Sequence, residues 1–499
     1  MDNILSALSS LADIQIIFLI LAGTTAGIII GAMPGLGSVL AITLALPLTF
    51  VLKPEASIIL LLGLYCGSVY GGSLSAIVIN TPGTPQSAAT LFDGYPMMQR
   101  GDGGLALGWA TTGSTIGGLI ATVVLVIAAP ILAQFGLRFG PVEYFALGIF
   151  ALTCVMSVSK EDIFKGLLAC LAGLIVATIG QDPLTGDMRL TFSSFELSAG
   201  IGLVPFLVGL FALSEVFWRV SERVNAPKEI AKSSFELPKL SEIIQRRVVI
   251  FKSAMIGTWI GTLPGVGATA SSMVSYAEAK RTSKNKDKFG TGEPDGLIAS
   301  ETANNAVTSG ALVPTLALGI PGDPITAVML GALTIQGVSP GPRLFVENGE
   351  LVTFIFIGLF FINIAMFCLG ALICPIFSKI MRVPEPLLLS SVVILIAVGT
   401  YTISYNTFDL LVVLVAGIVG FFLRVAAFPL APIVIGFVLG NMIEQSLRQG
   451  LILNQGNFFA FWERPIALTL LILTMVFLCL PLIQRFMEKR KLNKGTSID

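Results

Sequence analysis

The chain has 499 residues, 54% of them hydrophobic and 12% charged, with 30 basic and 30 acidic side chains and no histidine. That composition is too apolar for a soluble multidomain protein, and the balanced charge offers no basic surface for nucleic acid. Without histidine there is no His-metal site, no His-based acid–base catalysis and no histidine pH switch.

The N-terminus carries Asp2 and Asp13 and no Lys or Arg before Lys53, unlike the basic start of a secretory signal peptide. Residues 12–52 are apolar on both sides of Gly31-Ala32-Met33-Pro34-Gly35-Leu36-Gly37. Proline removes a backbone donor and glycine permits unusual dihedrals, so a helix must end or unwind there. The segment reads as two spanning helices or as a re-entrant hairpin, and either way the chain returns to the side it left. Residues 56–80 make one crossing. A second break, Pro82-Gly83-Thr84-Pro85, follows, and a short segment runs on to Met98. Residues 105–133, 141–157, 163–178 and 197–220 each have roughly the ~20 residues a crossing needs. A polar linker, 221–247, carries Arg223, Lys228, Lys232, Lys239, Arg246 and Arg247.

The second half repeats this plan. Residues 248–276 contain Gly261-Thr262-Leu263-Pro264-Gly265-Val266-Gly267, residues 297–320 cross next, and Pro321-Gly322-Asp323-Pro324 leads a short apolar piece to Gln336. Segments 351–377, 386–401, 410–422 and 427–442 follow, and 465–482 is an extra span without a partner in the first half. The first breaks are 264 − 34 = 230 residues apart and the second 321 − 82 = 239. The difference of nine residues is accounted for by the charged insert 280–295. Four matched breaks in one order indicate internal duplication. The expected architecture is an all-α polytopic membrane protein with two repeats. Residues 1–220 form the first, 221–247 a cytoplasmic linker, 248–443 the second, and 444–499 an extra span with a basic tail. Each repeat holds a Pro/Gly-broken hairpin and about five spanning helices.

Basic loops favour the cytoplasm. Arg100, Lys160, Lys165, the linker, the 280–288 insert, Lys379, Arg382, Arg424 and the tail from Arg485 to Lys494 then fall inside, with the acidic loop 182–196 outside. Arg138, Arg343 and Arg448 are exceptions. Five crossings plus one returning element make the repeats inverted, with an outside N-terminus and an inside C-terminus. Matched broken helices in inverted repeats are the pattern of a transporter's binding site.

The breaks supply the candidate site. Helix N-termini created by a break expose N–H groups that favour an anion. Pro34, Gly35, Gly37, Pro264, Gly265 and Gly267 are therefore expected at the substrate, with Ser38 and Thr269 adding hydroxyls, and with Thr81, Gly83, Thr84 and Gly322 from the second pair. The alternative role of the glycines is close helix packing. Asn80, Asn304, Asn305 and Asp323 are expected to hold a coupling cation, helix capping being the alternative. Thr84 takes the place of Asp323 in the first repeat. Glu444 and Arg448 read as a surface ion pair and the 280–295 insert as a solvated loop. The six cysteines (Cys66, Cys154, Cys170, Cys368, Cys374, Cys479) read as small core residues.

These motifs resemble the large membrane subunit of tripartite tricarboxylate transporters, the TctA family. The resemblance rests on both Pro-Gly-x-Gly breaks, on Asn80 to Pro85 and Gly319 to Pro324, and on Pro429-Leu430-Ala431-Pro432 through Gly436, Gly440, Glu444 and Arg448. It implies a multi-pass permease of the bacterial inner membrane that takes up carboxylates, with a small four-helix membrane subunit and a periplasmic solute-binding protein as partners. No Gly-x-x-x-x-Gly-Lys-Ser/Thr motif occurs, so transport through this subunit is expected to be driven by Na⁺ or H⁺, with no other cofactor. The competing readings are a passive anion channel and a carrier of another small organic solute. An intramembrane enzyme lacks an acid–base constellation here.

Overall fold

The computed structural model describes residues 2–157, 163–222, 234–265, 267–380 and 384–479. Lys160, Arg223, Lys228, Lys232, Val266, Arg382 and the tail beyond 479 lie outside the described residues.

The chain is helical, with one two-residue hairpin, β1 (Gly180–Gln181) and β2 (Met188–Arg189), among the described residues. In order come α1 (Asp2–Leu11), α2 (Ile14–Ala32), α3 (Gly37–Thr49) and α4 (Pro54–Ile79). A 3₁₀ turn (Pro85–Thr90) leads into α5 (Leu91–Gln99), α6 (Gly103–Gly136), α7 (Pro141–Ser157) and α8 (Ile163–Ala177). Then α9 (Leu203–Leu207) passes through a π-helical stretch (Val208–Leu213) into α10 (Ser214–Glu222). The second half holds α11 (Leu240–Gln245), α12 (Arg247–Gly261), α13 (Gly267–Thr282), α14 (Pro294–Leu318), α15 (Pro324–Ile335) and α16 (Leu344–Glu347). It continues with α17 (Gly349–Ile373), α18 (Phe377–Ile380), α19 (Glu385–Ser404), α20 (Thr407–Val425), α21 (Leu430–Leu453), α22 (Ala460–Glu463) and α23 (Pro465–Cys479).

Among the described residues, eight helical stretches are long and apolar enough to cross a membrane. Exposed leucines, isoleucines and phenylalanines along α2, α6, α19 and α20 mark faces suited to lipid. Helix α14 is long enough but more polar, and residues 296–318 are all buried. It is a central helix shielded by its neighbours. Helix α7, with 17 residues, coincides with the expected 141–157 segment, and α8, with 15, ends one residue before 178, whereas α20, with 19, exceeds the short 410–422 segment.

Packing divides the chain into two compact units: Met1–Leu137 with Gly202–Val425, and Arg138–Ile201 with Ala426–Asp499. Each unit takes a stretch from both halves of the sequence. In the second unit Glu444 and Arg448 are more than a surface pair. Arg448 reaches Asp182 at 2.7 Å and Arg189 reaches Glu444 at 2.6 Å, which ties the β1–β2 hairpin to α21. The N–H of Leu184 and the Arg448 guanidinium hold the Asp182 carboxyl well below the usual range.

In the first unit the 280–295 insert is less freely solvated than expected. The buried Asp93 carboxylate accepts the backbone N–H groups of Gly290, Gly292 and Glu293 at 2.7–2.9 Å. Arg246 pairs with Asp295 at 3.0 Å.

The same packing register occurs twice in this unit. Gly27 and Gly31 of α2 lie against Leu64 and Ser68 of α4, and Gly257 and Gly261 of α12 against Ala303 and Val307 of α14. The α2 and α12 positions differ by 230 and the α4 and α14 positions by 239, as in the sequence repeat (27 + 230 = 257; 64 + 239 = 303). A side chain at Gly31 would stand 2.1 Å from the Ser68 carbonyl oxygen, so only glycine permits this approach. Because contacts advance together along α2 and α4, the two helices are parallel. The intervening α3 must therefore run back, and the first break is a hairpin turn. The second half does the same with α12, α13 and α14.

Candidate functional site

At the first hairpin Gly35 and Gly37 have φ of +83° and +69°, and at the second Gly265 and Gly267 have +79° and +71°. These left-handed values let α3 and α13 start abruptly, leaving their first N–H groups without intrahelical acceptors. Ser38 is buried at the start of α3, and its hydroxyl has no hydrogen-bond partner among the described residues. Thr269 lies in the first turn of α13, behind the buried Pro264. Over the first turn stands the Arg219 guanidinium, so close that a Cβ on Gly35 would sit 1.5 Å from Nη2. Glu215 holds that arginine at 3.2 Å and also pairs with Arg424.

The second pair of breaks folds back into the protein. Helix α4 ends on Asn80 in the left-handed region (φ +55°), and α14 ends on Gly319 (φ +71°). From there each Pro-Gly loop returns along its own helix. The Gly83 N–H donates to the Gly72 carbonyl at 3.2 Å, and Gly322 presses on Ala311, the same eleven residues upstream (83 − 72 = 322 − 311 = 11). Thr84 and Asp323 then take the N-cap positions that follow: Asp323 caps α15 through Thr326, and the Thr84 hydroxyl lies 3.5 Å from that of Ser87.

The four breaks form a closed ring of contacts. Gly83 lies on the Gly31 carbonyl, and the Ser272 hydroxyl of α13 donates to the Gln86 carbonyl at 2.9 Å. The Gly265 N–H donates to the Gly322 carbonyl at 2.8 Å, and α15 packs on α3. The ring surrounds the middle of the α4–α14 pair. These helices run antiparallel, since Cys66 meets Thr308 while Ser73 meets Glu301. Gly31 packs at Ser68 and Gly261 at Val307, so both hairpin turns reach the same level of that pair.

Several expected ligands are distributed differently from the sequence reading. Asn80 and Thr81 are exposed at the end of α4, where Asn80 serves as the left-handed cap and the Thr81 hydroxyl donates to the Ile79 carbonyl. Asn304 and Asn305 are not beside the break. They sit seven and six residues (311 − 304; 311 − 305) before Ala311, the point that Gly322 touches, or roughly 10 Å of helix rise. Asn305 is a bridge between helices: its amide donates to the Ser114 carbonyl at 3.0 Å and lies 3.4 Å from Asn363 Oδ1. Asp323 is 2% exposed, so it is neither a surface turn residue nor an open ligand. Oδ1 accepts from the Thr326 N–H and hydroxyl at 2.7 and 2.9 Å, and Oδ2 accepts from the Tyr65 hydroxyl. The expected Asp323–Asn304–Asn305 oxygen cluster is therefore not assembled, because the loop folds back from the end of α14 only as far as Ala311, short of the asparagines.

Sequence reasoning missed Glu301, Tyr65 and Arg219. Glu301 is fully buried on α14 and accepts from Ser73 at 2.7 Å, Ser114 at 3.1 Å and Thr90. Its signal was available: it is the one acidic residue of the 297–318 run, and an unpaired charge at a helix centre costs ~2.5–3.5 kcal/mol on insertion scales. Tyr65 and Arg219 carry no local signal.

The comparisons with known proteins show the family. A family model described as the tripartite tricarboxylate transporter TctA family matches residues 17–435. An uncharacterized 52.8 kDa protein in the TAR-I ttuC' 3' region of Agrobacterium vitis is 36% identical over 471 residues, covering 94% of this chain and 93% of that protein. A second uncharacterized protein of A. vitis, in the TAR-II ttuC' 3' region, is 36% identical over 235 residues, 47% of this chain and 97% of that one. No solved structure matches.

Proposed function

We propose, proceeding from the fact that the chain belongs to the tripartite tricarboxylate transporter TctA family, that it accumulates a small carboxylate by cation-coupled alternating access. Membership makes it the large membrane subunit of such a transporter. The finer reading is that a periplasmic solute-binding protein delivers the substrate and a small four-helix membrane subunit completes the complex in the bacterial inner membrane.

One observation carries the substrate site: two hairpin turns of the same backbone geometry meet the middle of one antiparallel helix pair. Lone backbone breaks are tolerated at membrane depth where they line a cavity, and helix N-termini there suit anions. The unpartnered Ser38 hydroxyl and the Arg219 guanidinium beside Gly35 supply the donors a carboxylate requires. In this reading Pro34, Gly35, Gly37 and Ser38 face Pro264, Gly265, Gly267 and Thr269 across the substrate, and the Thr84 and Asp323 loops close over it. The antiparallel α4 and α14, equivalent in the repeat, support an inverted relation between the halves. Alternating access then exchanges two equivalent arrangements.

The test is uptake of radiolabelled di- and tricarboxylates by cells making this chain with its two partner subunits. Gly35→Val and Gly265→Val each place a branched side chain at a left-handed φ, and each is expected to abolish accumulation while the chain still inserts. Accumulation that survives both changes would sink the shared site. Equilibration without accumulation in the native protein would favour a passive anion channel.

A further inference from the structure

We propose that Glu301 is the centre of a binding site for a small monovalent cation of the Na⁺ type, built with the hydroxyls of Ser73, Thr90 and Ser114 and the amide oxygen of Asn304. The proposal deepens the cation-coupled reading above and rests on it for its role in transport.

The carboxylate is fully buried, and its partners are three hydroxyls from three separate elements: Ser73 on α4, Thr90 at the end of the 3₁₀ turn, and Ser114 on α6. No basic side chain pairs with it among the described residues. Hydroxyls can orient toward a carboxylate, but they cannot neutralise it. A counter-charge is needed, and the oxygen-only surroundings are those a hard cation prefers. One carboxylate balances one positive charge. Among the described residues no group of three or more His, Cys, Asp or Glu side chains gathers to hold a more highly charged metal.

A second observation points to a ligand at the same place. Asn304 is 0% exposed, yet neither amide atom has a hydrogen-bond partner among the described residues. It lies three residues beyond Glu301, on the same face of the helix, between the contacts of Glu301 with Ser73 and of Thr308 with Cys66. A buried amide with both ends unpaired is costly unless something occupies the space beside it. The repeat sharpens the point. Position 304 matches Tyr65 (65 + 239 = 304), whose hydroxyl reaches Asp323, and Asp323 matches Thr84 (84 + 239 = 323). Tyr65 of the first half thus meets Asp323 of the second, whereas at the equivalent pair of positions Asn304 makes no hydrogen bond to Thr84 among the described residues.

Nearby titratable groups are already engaged. Tyr70 on α4 meets Thr111 at 2.7 Å, and Asp93 on α5 accepts the N–H groups of residues 290–293. Each hydroxyl around Glu301 can turn its proton to a carbonyl of its own helix, freeing lone pairs for the cation.

Equilibrium binding of radiolabelled Na⁺ to the purified full chain, in choline buffer without carboxylate, tests the site directly. Saturable binding is expected, weakened about tenfold or more by Glu301→Gln and less by Ser114→Ala. Asp323→Asn should leave it within about twofold, since its oxygens serve a helix cap. Equal Tm values in choline for wild type and Glu301→Gln establish folding, and Na⁺ should raise only the wild-type Tm. If the Gln variant does not fold, Ser114→Ala alone must still weaken binding. Unchanged Na⁺ affinity in these variants overturns the proposal. So does a wild-type chain that binds no Na⁺ and exchanges only a proton. Na⁺ binding that stands without carboxylate uptake would count against the permease reading and leave the site in place.

Discussion

Replacing Asp323 separates a structural carboxylate from a charged one. Its two oxygens have different work: Oδ1 caps α15 through Thr326, and Oδ2 accepts the buried Tyr65 hydroxyl. Asp323→Ala removes both. Loss of an N-cap costs about 1 kcal/mol, and a buried hydroxyl left without an acceptor about 1–3 kcal/mol, so the total is about 2–4 kcal/mol. Asp323→Asn keeps a carbonyl oxygen for Thr326 and donates its NH₂ to the Tyr65 oxygen, so the cap is kept, the hydroxyl retains one hydrogen bond, and the cost should stay near the low end, about 1 kcal/mol. Tyr65→Phe removes the other side of the orphaned pair. The double variant Tyr65→Phe/Asp323→Ala should therefore cost less than the sum of the two singles, by about 1–3 kcal/mol. Thermal unfolding of the purified protein in detergent reads the stabilities, and Na⁺- and pH-dependence of uptake reads the coupling. An Asn variant as unstable as the Ala variant would refute the geometry. An Asn variant that is stable but has lost its cation dependence would return the coupling site to Asp323.

Two further outcomes follow from packing and charge. Gly31→Ala should destabilise the protein by about 1–3 kcal/mol, since its Cβ would stand 2.1 Å from a backbone oxygen; Gly261→Ala, at 2.9 Å from the Val307 oxygen, should cost clearly less. Equal melting temperatures for the two would show that α2 and α4 are not held at this distance. The Asp182 carboxyl is depressed in the folded chain, so its stabilising effect is fully present above its unfolded value of about 4 and is lost as pH falls through the lower folded one. Hydrogen exchange in residues 180–189 should accelerate in acid below about pH 4, and Asp182→Asn should remove that acid dependence.

The breaks were legible because proline and glycine act locally: Pro34-Gly35 and Pro264-Gly265 interrupt helices whatever surrounds them. What they become was not legible. The chain returns either way, and how far the turn reaches along α4 is set by the approach of Gly27 and Gly31 to Leu64 and Ser68, midway along that helix, which no local pattern shows. Asn304 was misplaced for a related reason. Sequence distance put it near Pro321, but the loop stops its return at Ala311. Glu301 was overlooked because hydropathy averages a single acid away within a long apolar run. The Asp182–Arg189–Glu444–Arg448 network joins residues more than 250 positions apart, so only its i, i+4 pair showed in the sequence.

The repeat is regular in its frame and irregular in its chemistry. Glycines at equivalent positions set the same helix register, and equivalent loops fold back by the same eleven residues (83 − 72 = 322 − 311 = 11). On that frame Tyr65 of the first half meets Asp323 of the second, and the equivalent positions hold Asn304 of the second half and Thr84 of the first. In the alternating-access reading proposed above, a rocking mechanism requires two backbone arrangements of nearly equal energy, and equivalent glycine packing in the two halves supports that reading. Identical side chains would leave both loops equally satisfied whatever was bound. Because Asp323 is paired with Tyr65 while Asn304 has no partner among the described residues, the cation proposed at Asn304 and Glu301 would add free energy at one of the two equivalent places only. A ligand shifts an equilibrium by its differential affinity for the two states. The asymmetric pair Tyr65/Asn304 is where this chain can hold that difference.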